Sequence, residues 1–132
     1  MRNTGILVLL VMTLCACASL DERKRSVSFE TAILQYEQSI RWGDFSAANR
    51  LRRPDVPAAI TPTQPGEQIR ITACETVQVT ASSDGNETAV VMKITYYHDD
   101  GMTLKTLVDQ QLWKYDTEHQ AWYISSPPPV FR

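Results

Sequence analysis

Asp109 is the residue with the most chemistry within reach of an apolar wall. Asp100-Gly101, set between two alternating stretches, is the strongest hairpin signal in the chain. Read as a two-residue loop, it sets Asp99 opposite Met102. Val90, Met92, Ile94 and Tyr96 then share a face with Lys105, Leu107, Asp109, Gln111 and Trp113. On that face Asp109 neighbours Met92, and Met92, Ile94, Tyr96, Leu107, Asp109 and Trp113 form a candidate pocket. Burial disfavours an ionised carboxylate and raises its pKa toward working pH, which is what a general acid or base requires. Lys105, two positions beyond Leu107, is no obvious counter-cation. The competing expectation is a β-bulge that turns Asp109 out to solvent as an ordinary strand residue. Of the two, the bulge is favoured.

Other chemistry-bearing residues point to less. His98-Asp99-Asp100 has metal-ligand residue types, but consecutive strand and turn positions face different sides, so a polar turn is expected. His98 and His119 lack cysteine or carboxylate partners at zinc-ligand intervals. Trp42, Trp113 and Trp122 are expected as core or rim rings before ligand-stacking ones. No Ser-His-Asp arrangement, phosphate-binding glycine loop or basic aromatic surface is evident, and no metal or cofactor is expected.

The cysteines carry more information. Arg2 precedes the apolar run Gly5-Ile6-Leu7-Val8-Leu9-Leu10-Val11-Met12, which leads into Leu14-Cys15-Ala16-Cys17. A positive start, an apolar stretch and a small residue before the cut have the order of a secretory signal peptide. The stretch is shorter than the roughly 20 apolar residues that span a bilayer. Leu14-Cys15-Ala16-Cys17 resembles the lipobox of bacterial lipoproteins. The resemblance implies cleavage after Ala16 and lipidation of Cys17 as the mature N-terminus. Ala18 and Ser19 resemble the outer-membrane type of sorting signal, implying a lipid-anchored protein of the outer membrane that faces the periplasm. Cys15 then leaves with the leader and Cys17 carries lipid, so Cys74 has no intramolecular disulfide partner. In its alternating stretch Cys74 is expected to be a buried structural thiol.

Cutting before Cys17 removes Arg2 and leaves 116 residues with 12 basic against 15 acidic, a formal charge of −3. That length supports one domain with a real core. An acidic balance argues against a nucleic-acid binder. The charge is uneven: Asp21 to Arg53 holds seven basic and five acidic residues, and Pro54 onward five basic and ten acidic. A basic end of this kind orients a domain near anionic lipid, though screening beyond about 8–10 Å makes the effect weak.

The elements that must position these residues follow from pattern. Residues 1–16 read as signal peptide and 17–27 as lipidated N-terminus and tether, a flexible stretch reaching roughly 17 Å on average. The domain is expected over 28–132. Ser28 is expected to cap a helix whose Phe29, Ile33, Tyr36 and Ile40 form one apolar stripe. Gly43 ends it in a left-handed cap, and Asp44 caps a shorter helix from Phe45 to about Arg53. Phe45, Ala48 and Leu51 share one face of this helix, with Arg50, Arg52 and Arg53 elsewhere. Four prolines between Pro54 and Pro65 make the next stretch an extended crossing. Four strands follow, over Gln68–Ala81, Thr88–Tyr97, Met102–Tyr115 and Ala121–Ser125. The apolar members of the first are Ile69, Ile71, Ala73, Val77 and Val79.

Two helices joined by a Gly-Asp turn, an extended crossing and an antiparallel sheet ending in a tryptophan strand resemble the NTF2-like (cystatin-like) superfamily. The parts that carry the resemblance are Arg41-Trp42-Gly43-Asp44-Phe45 and the closing hairpin, Leu112-Trp113-Lys114-Tyr115-Asp116 to Trp122-Tyr123-Ile124. The implied fold is α+β, two N-terminal helices packed on a curved four-stranded antiparallel sheet that forms a cone. The family also implies a tendency to dimerise through the sheet's outer face. Such a fold hosts both enzymes and binding modules, so it supplies no function alone. Three functions follow in order of expectation. The first is a non-catalytic envelope module that binds a protein partner or helps assemble or maintain the outer membrane. The second is a carrier or sensor of a small apolar ligand. The third is an isomerase- or cyclase-like enzyme using Asp109.

Overall fold

The structure is a computed structural model that describes residues 2–53 and 68–132, with side chains from residue 17 onward. The proline-rich crossing expected between Asp55 and Gly66 lies outside the described residues.

Helix α1 spans Arg2–Arg41 without interruption. The start expected at Ser28 is therefore corrected, and Ala18 to Val27 is helix rather than flexible tether. The local reason is in the sequence: this stretch has no Gly or Pro, and Asp21 and Glu22 precede Lys24 and Arg25 at helix-supporting spacings. A tertiary reason adds to it. Arg25 Nη1 donates to Asn86 Oδ1 at 2.8 Å, and its guanidinium lies 5.0 Å from the Tyr115 ring centroid. Trp122 Nε1 donates to the Arg25 carbonyl at 3.1 Å. The turn before Ser28 is thus held against the sheet.

The end of α1 follows the expectation. Gly43 has φ +71°, Gly43 N–H donates to the Ile40 carbonyl, and Asp44 N–H reaches back to the Ser39 carbonyl at 2.8 Å. This pairing satisfies the last carbonyls of the helix through a left-handed residue. Asp44 then caps α2 (Phe45–Arg50), its Oδ1 accepting from Ala47 N at 2.9 Å. Beyond α2 the chain runs parallel to the last strand, with Ile124 N–H donating to the Leu51 carbonyl at 2.8 Å.

The sheet is a four-stranded antiparallel meander in the order β1-β2-β3-β4: β1 Ile69–Ala81, β2 Glu87–His98, β3 Lys105–Asp116 and β4 Ala121–Ile124. The β2–β3 register pairs Met92 with Asp109, Ile94 with Leu107 and Tyr96 with Lys105, as the hairpin predicts. The loop itself differs. Gly101 N–H and Met102 N–H both donate to the His98 carbonyl at 3.1 Å, and the left-handed residue is Met102, φ +46°. A longer loop centred on the same pair of residues leaves the register unchanged. That is why the face assignment survives the wrong turn.

No register shift interrupts β2–β3, so the bulge expected at Asp109 is absent. The irregularities lie in β1, between Ile71 and Ala73 and between Thr76 and Gln78. Each inserts a residue and reverses which side follows. Cys74 is consequently buried, whereas Ala73 and Val77, expected on the apolar side, are exposed. α1 lays Phe29, Tyr36 and Ile40 on the sheet, where Phe29 meets Trp113 and Trp122 edge-on at 5.8 and 5.0 Å between ring centroids. Aromatic edges against faces add to the area buried there. Phe131 closes the other end of the core, packed edge-on against Tyr96 at 5.0 Å.

Candidate functional site

The core contains a run of connected polar side chains. Tyr36, on the sheet-facing stripe of α1, donates its hydroxyl to Asp109 Oδ2 at 2.8 Å. Gln111 Nε2 donates to the same oxygen at 2.7 Å, and Trp113 Nε1 donates to Gln111 Oε1 at 2.8 Å. Asp109, Gln111 and Trp113 alternate on β3, so period two alone brings them to one side. From the opposite direction Arg52 Nη2 donates to the Tyr36 oxygen at 3.0 Å, and Arg52 Nη1 to the Ser126 carbonyl at 2.8 Å. The Tyr36 hydroxyl therefore sits between a buried cation and a buried carboxyl.

Burial pushes the Asp109 carboxyl above its ordinary range. The bonds from Gln111 and Tyr36 and the Arg52 charge oppose that shift without cancelling it. Burial, reinforced by the neighbouring Asp109 charge, also raises the Tyr36 phenol far above its usual value, so it stays a neutral donor. Beside them Met92 receives the Cys74 thiol at 3.2 Å between sulfurs, and burial raises that thiol to about 12.

Among the six residues expected around a pocket, Met92, Ile94, Tyr96, Asp109 and Trp113 are packed in the core and Leu107 is half-buried. Asp109 is 3% exposed. The arrangement can hold a proton and orient a phenol, but it is packed in the interior and does not face the open groove beside α1. Lys105, as expected, is not the counter-charge: its Nζ reaches the Arg132 carbonyl at 2.8 Å. The nearby cation is Arg52, which the helix pattern had set apart from the core. It arrives because the chain after α2 bends alongside β4. Phe131 was likewise invisible to pattern reading, since it follows Pro127-Pro128-Pro129 and belongs to no element. Among the tryptophans, Trp113 and Trp122 are buried, but Trp42 is 82% exposed and is neither core nor rim. Asp99 pairs with Arg70 at 3.2 Å and His119 with Asp116 at 2.8 Å, at separate turns.

An open concavity lies elsewhere, between α1 and the β1–β2 hairpin. It is a groove of about 690 Å³ floored by Phe29, Ile33, Val79, Ala81 and Trp122, with Glu22, Glu30 and Glu37 along the α1 side. None of the six expected pocket residues lines it. Its apolar floor arises from the second bulge of β1, which returns Val79 and Ala81 to the helix-facing side after Val77. Among the described residues no helix is long and apolar enough to cross a membrane, and no three His, Cys, Asp or Glu side chains converge as a metal site. Compared with protein-family models, with curated proteins and with solved structures, the chain matches none.

Proposed function

We propose that this protein is a lipid-anchored lipoprotein of the bacterial outer membrane whose periplasm-facing domain is a non-catalytic binding module. The anchor is Cys17, acylated after removal of residues 1–16. The domain is read as a small NTF2-like cone, in keeping with its helix pair and four-stranded antiparallel meander. One observation carries the binding reading over an enzymatic one. Three ionisable residues of the core, Tyr36, Arg52 and Asp109, bond to each other and to Gln111 and Ser126 inside a packed interior. An enzyme of this fold needs such a group facing a substrate-sized space.

The groove is where the module meets its partner, an envelope protein on this reading. A photo-crosslinking residue at Val79 in the groove, with Val108 on the opposite side of the sheet as control, tests this in intact cells. Capture of one defined envelope protein from Val79 and not Val108 is the expected result. Capture of a small apolar molecule alone would favour the second reading, a ligand carrier, which the groove's apolar floor also supports. Cys17→Ala should abolish acylation and release the protein from membranes. Equal fatty-acid incorporation into the variant would refute the anchor.

A further inference from the structure

The two edges of the sheet are finished differently. Along β4 the chain after α2 takes up free backbone groups: Ile124 N–H donates to the Leu51 carbonyl, and Arg53 N–H to the Ile124 carbonyl at 3.4 Å. Along β1, among the described residues, no backbone outside β2 pairs with the stretch from Thr76 to Ala81. An open edge is usually blunted by charge or proline, and Thr76-Val77-Gln78-Val79-Thr80-Ala81 has neither. The bulge between Thr76 and Gln78 shortens the regular part, but Gln78 to Ala81 pair with β2 in unbroken register. These residues are a template for a further strand.

The same stretch borders the groove, so the groove opens where the sheet ends. Its apolar members Val79 and Leu34 are 51% and 54% exposed. Three glutamates of α1, Glu22, Glu30 and Glu37, stand over this apolar floor against a single arginine. That arginine, Arg25, is turned to the hairpin end, where it bonds to Asn86 and lies on the Tyr115 ring. Among the described residues none of the three glutamates is in an ion pair. Glu22 and Glu30 are exposed, and Glu37 accepts from Thr76 Oγ1 at 3.4 Å.

We propose that the groove takes an extended segment of a partner protein, added to β1 as a fifth strand, in which lysine or arginine alternates with aliphatic residues. This rests on the reading of the groove as the partner site. Alternate side chains of a strand share a face. Those facing α1 lay their stems on Phe29, Ile33 and Val79 and bring their cations to the glutamates. Those on the other face lie beside exposed Val77 and are aliphatic. Main-chain bonds to β1 supply affinity, and the alternating side chains supply selection. A second copy pairing through β1 would set two acidic walls against each other. A small apolar molecule would fit the floor but leave the glutamates and the strand edge unused.

The test offers random nonapeptides to the full chain as purified from cells in a non-ionic detergent. Expected is enrichment of peptides with Lys or Arg at alternate positions. The best of these, made synthetically, should bind in titration calorimetry and slow amide exchange over residues 76–81. N-methylation of one alternate set of its amides should abolish binding, and of the other set leave it, because only one set faces β1. Glu22→Lys with Glu30→Lys should weaken binding roughly tenfold. A peptide with glutamate in place of its cations should then bind this variant better than wild type, which also shows that the variant is folded. Enrichment of acidic or uncharged peptides, or of none, overturns the proposal, as does binding indifferent to which amides are methylated. A dimer joined through β1, detected by sedimentation velocity and by protection of residues 76–81, overturns it too. If Val79 still captures an envelope protein in cells, the partner site stands without the added strand. If Val79 captures nothing and no peptide is enriched, both readings fail.

Discussion

The Tyr36 hydroxyl donates to Asp109 Oδ2 across 2.8 Å, joining a helix residue to a strand residue 73 positions later. The Tyr36 oxygen itself accepts from Arg52 Nη2 at 3.0 Å, so one phenol relays a buried cation toward a buried carboxyl. Removing the hydroxyl leaves Arg52 Nη2 without its acceptor and Asp109 with one buried donor fewer. Tyr36→Phe should therefore cost about 1–3 kcal/mol, read by denaturant unfolding. It should also raise the Asp109 pKa further, because the lost bond favours the charged form. Unchanged stability would show that the hydroxyl is not shared in this way.

The sign of the pH effect follows from Asp109. Its folded pKa lies above the unfolded value, so between those two values the folded state binds more protons. The contribution is fully present below the unfolded pKa, near 3.9, and is lost as pH rises through the folded pKa. Asp109→Asn removes this dependence and leaves that of the other carboxylates. Wild type should lose stability relative to the variant on going from pH 4 to pH 7, in paired thermal melts. A constant difference would place Asp109 at an ordinary pKa.

An aspartate on a purely apolar wall would be improved by leucine, but this one accepts bonds from Tyr36 and Gln111. Asp109→Leu should instead destabilise by at least about 2 kcal/mol, since two buried donors lose their acceptor. Asp109→Asn, whose amide oxygen can still accept, should cost less. Chemical denaturation of both variants reads the order, and a stabilised leucine variant would reverse it.

At the helix–helix turn, space and conformation separate. A Cβ at Gly43 meets nothing within 4 Å, yet φ is +71°. Gly43→Val should cost about 1 kcal/mol or more from backbone strain alone. Asp44→Ala should cost about 0.5–2 kcal/mol through the lost bond to Ala47. Differential scanning calorimetry of the two variants checks both.

Cys74 should be inert in the folded protein. With the thiol raised to about 12, roughly one molecule in ten thousand is thiolate at pH 8. With Cys15 and Cys17 both replaced by Ala, thiol reagents should label Cys74 at the rate of global unfolding and quickly in denaturant. Fast labelling under native conditions would mean that the β1 edge opens.

What sequence alone determined here is local. Period-two alternation and a turn centred on Asp100-Gly101 are enough to pair Asp109 with Met92, and Gly43-Asp44 is enough to end one helix and begin another. Both depend on neighbours within a few residues. Tertiary structure decided whether Asp109 points inward at all, because a carboxyl stays buried only when donors meet it. Those donors are Tyr36 from α1 and Gln111 from its own strand, with Arg52 behind Tyr36. It likewise placed both bulges in β1, where Cys74 turns in and Val77 out. It also made helix of Ala18 to Val27, whose charge cluster reads as tether until Arg25 meets Asn86 and Tyr115. A polar side chain's position is set by partners distant in sequence, and no window along the chain contains them.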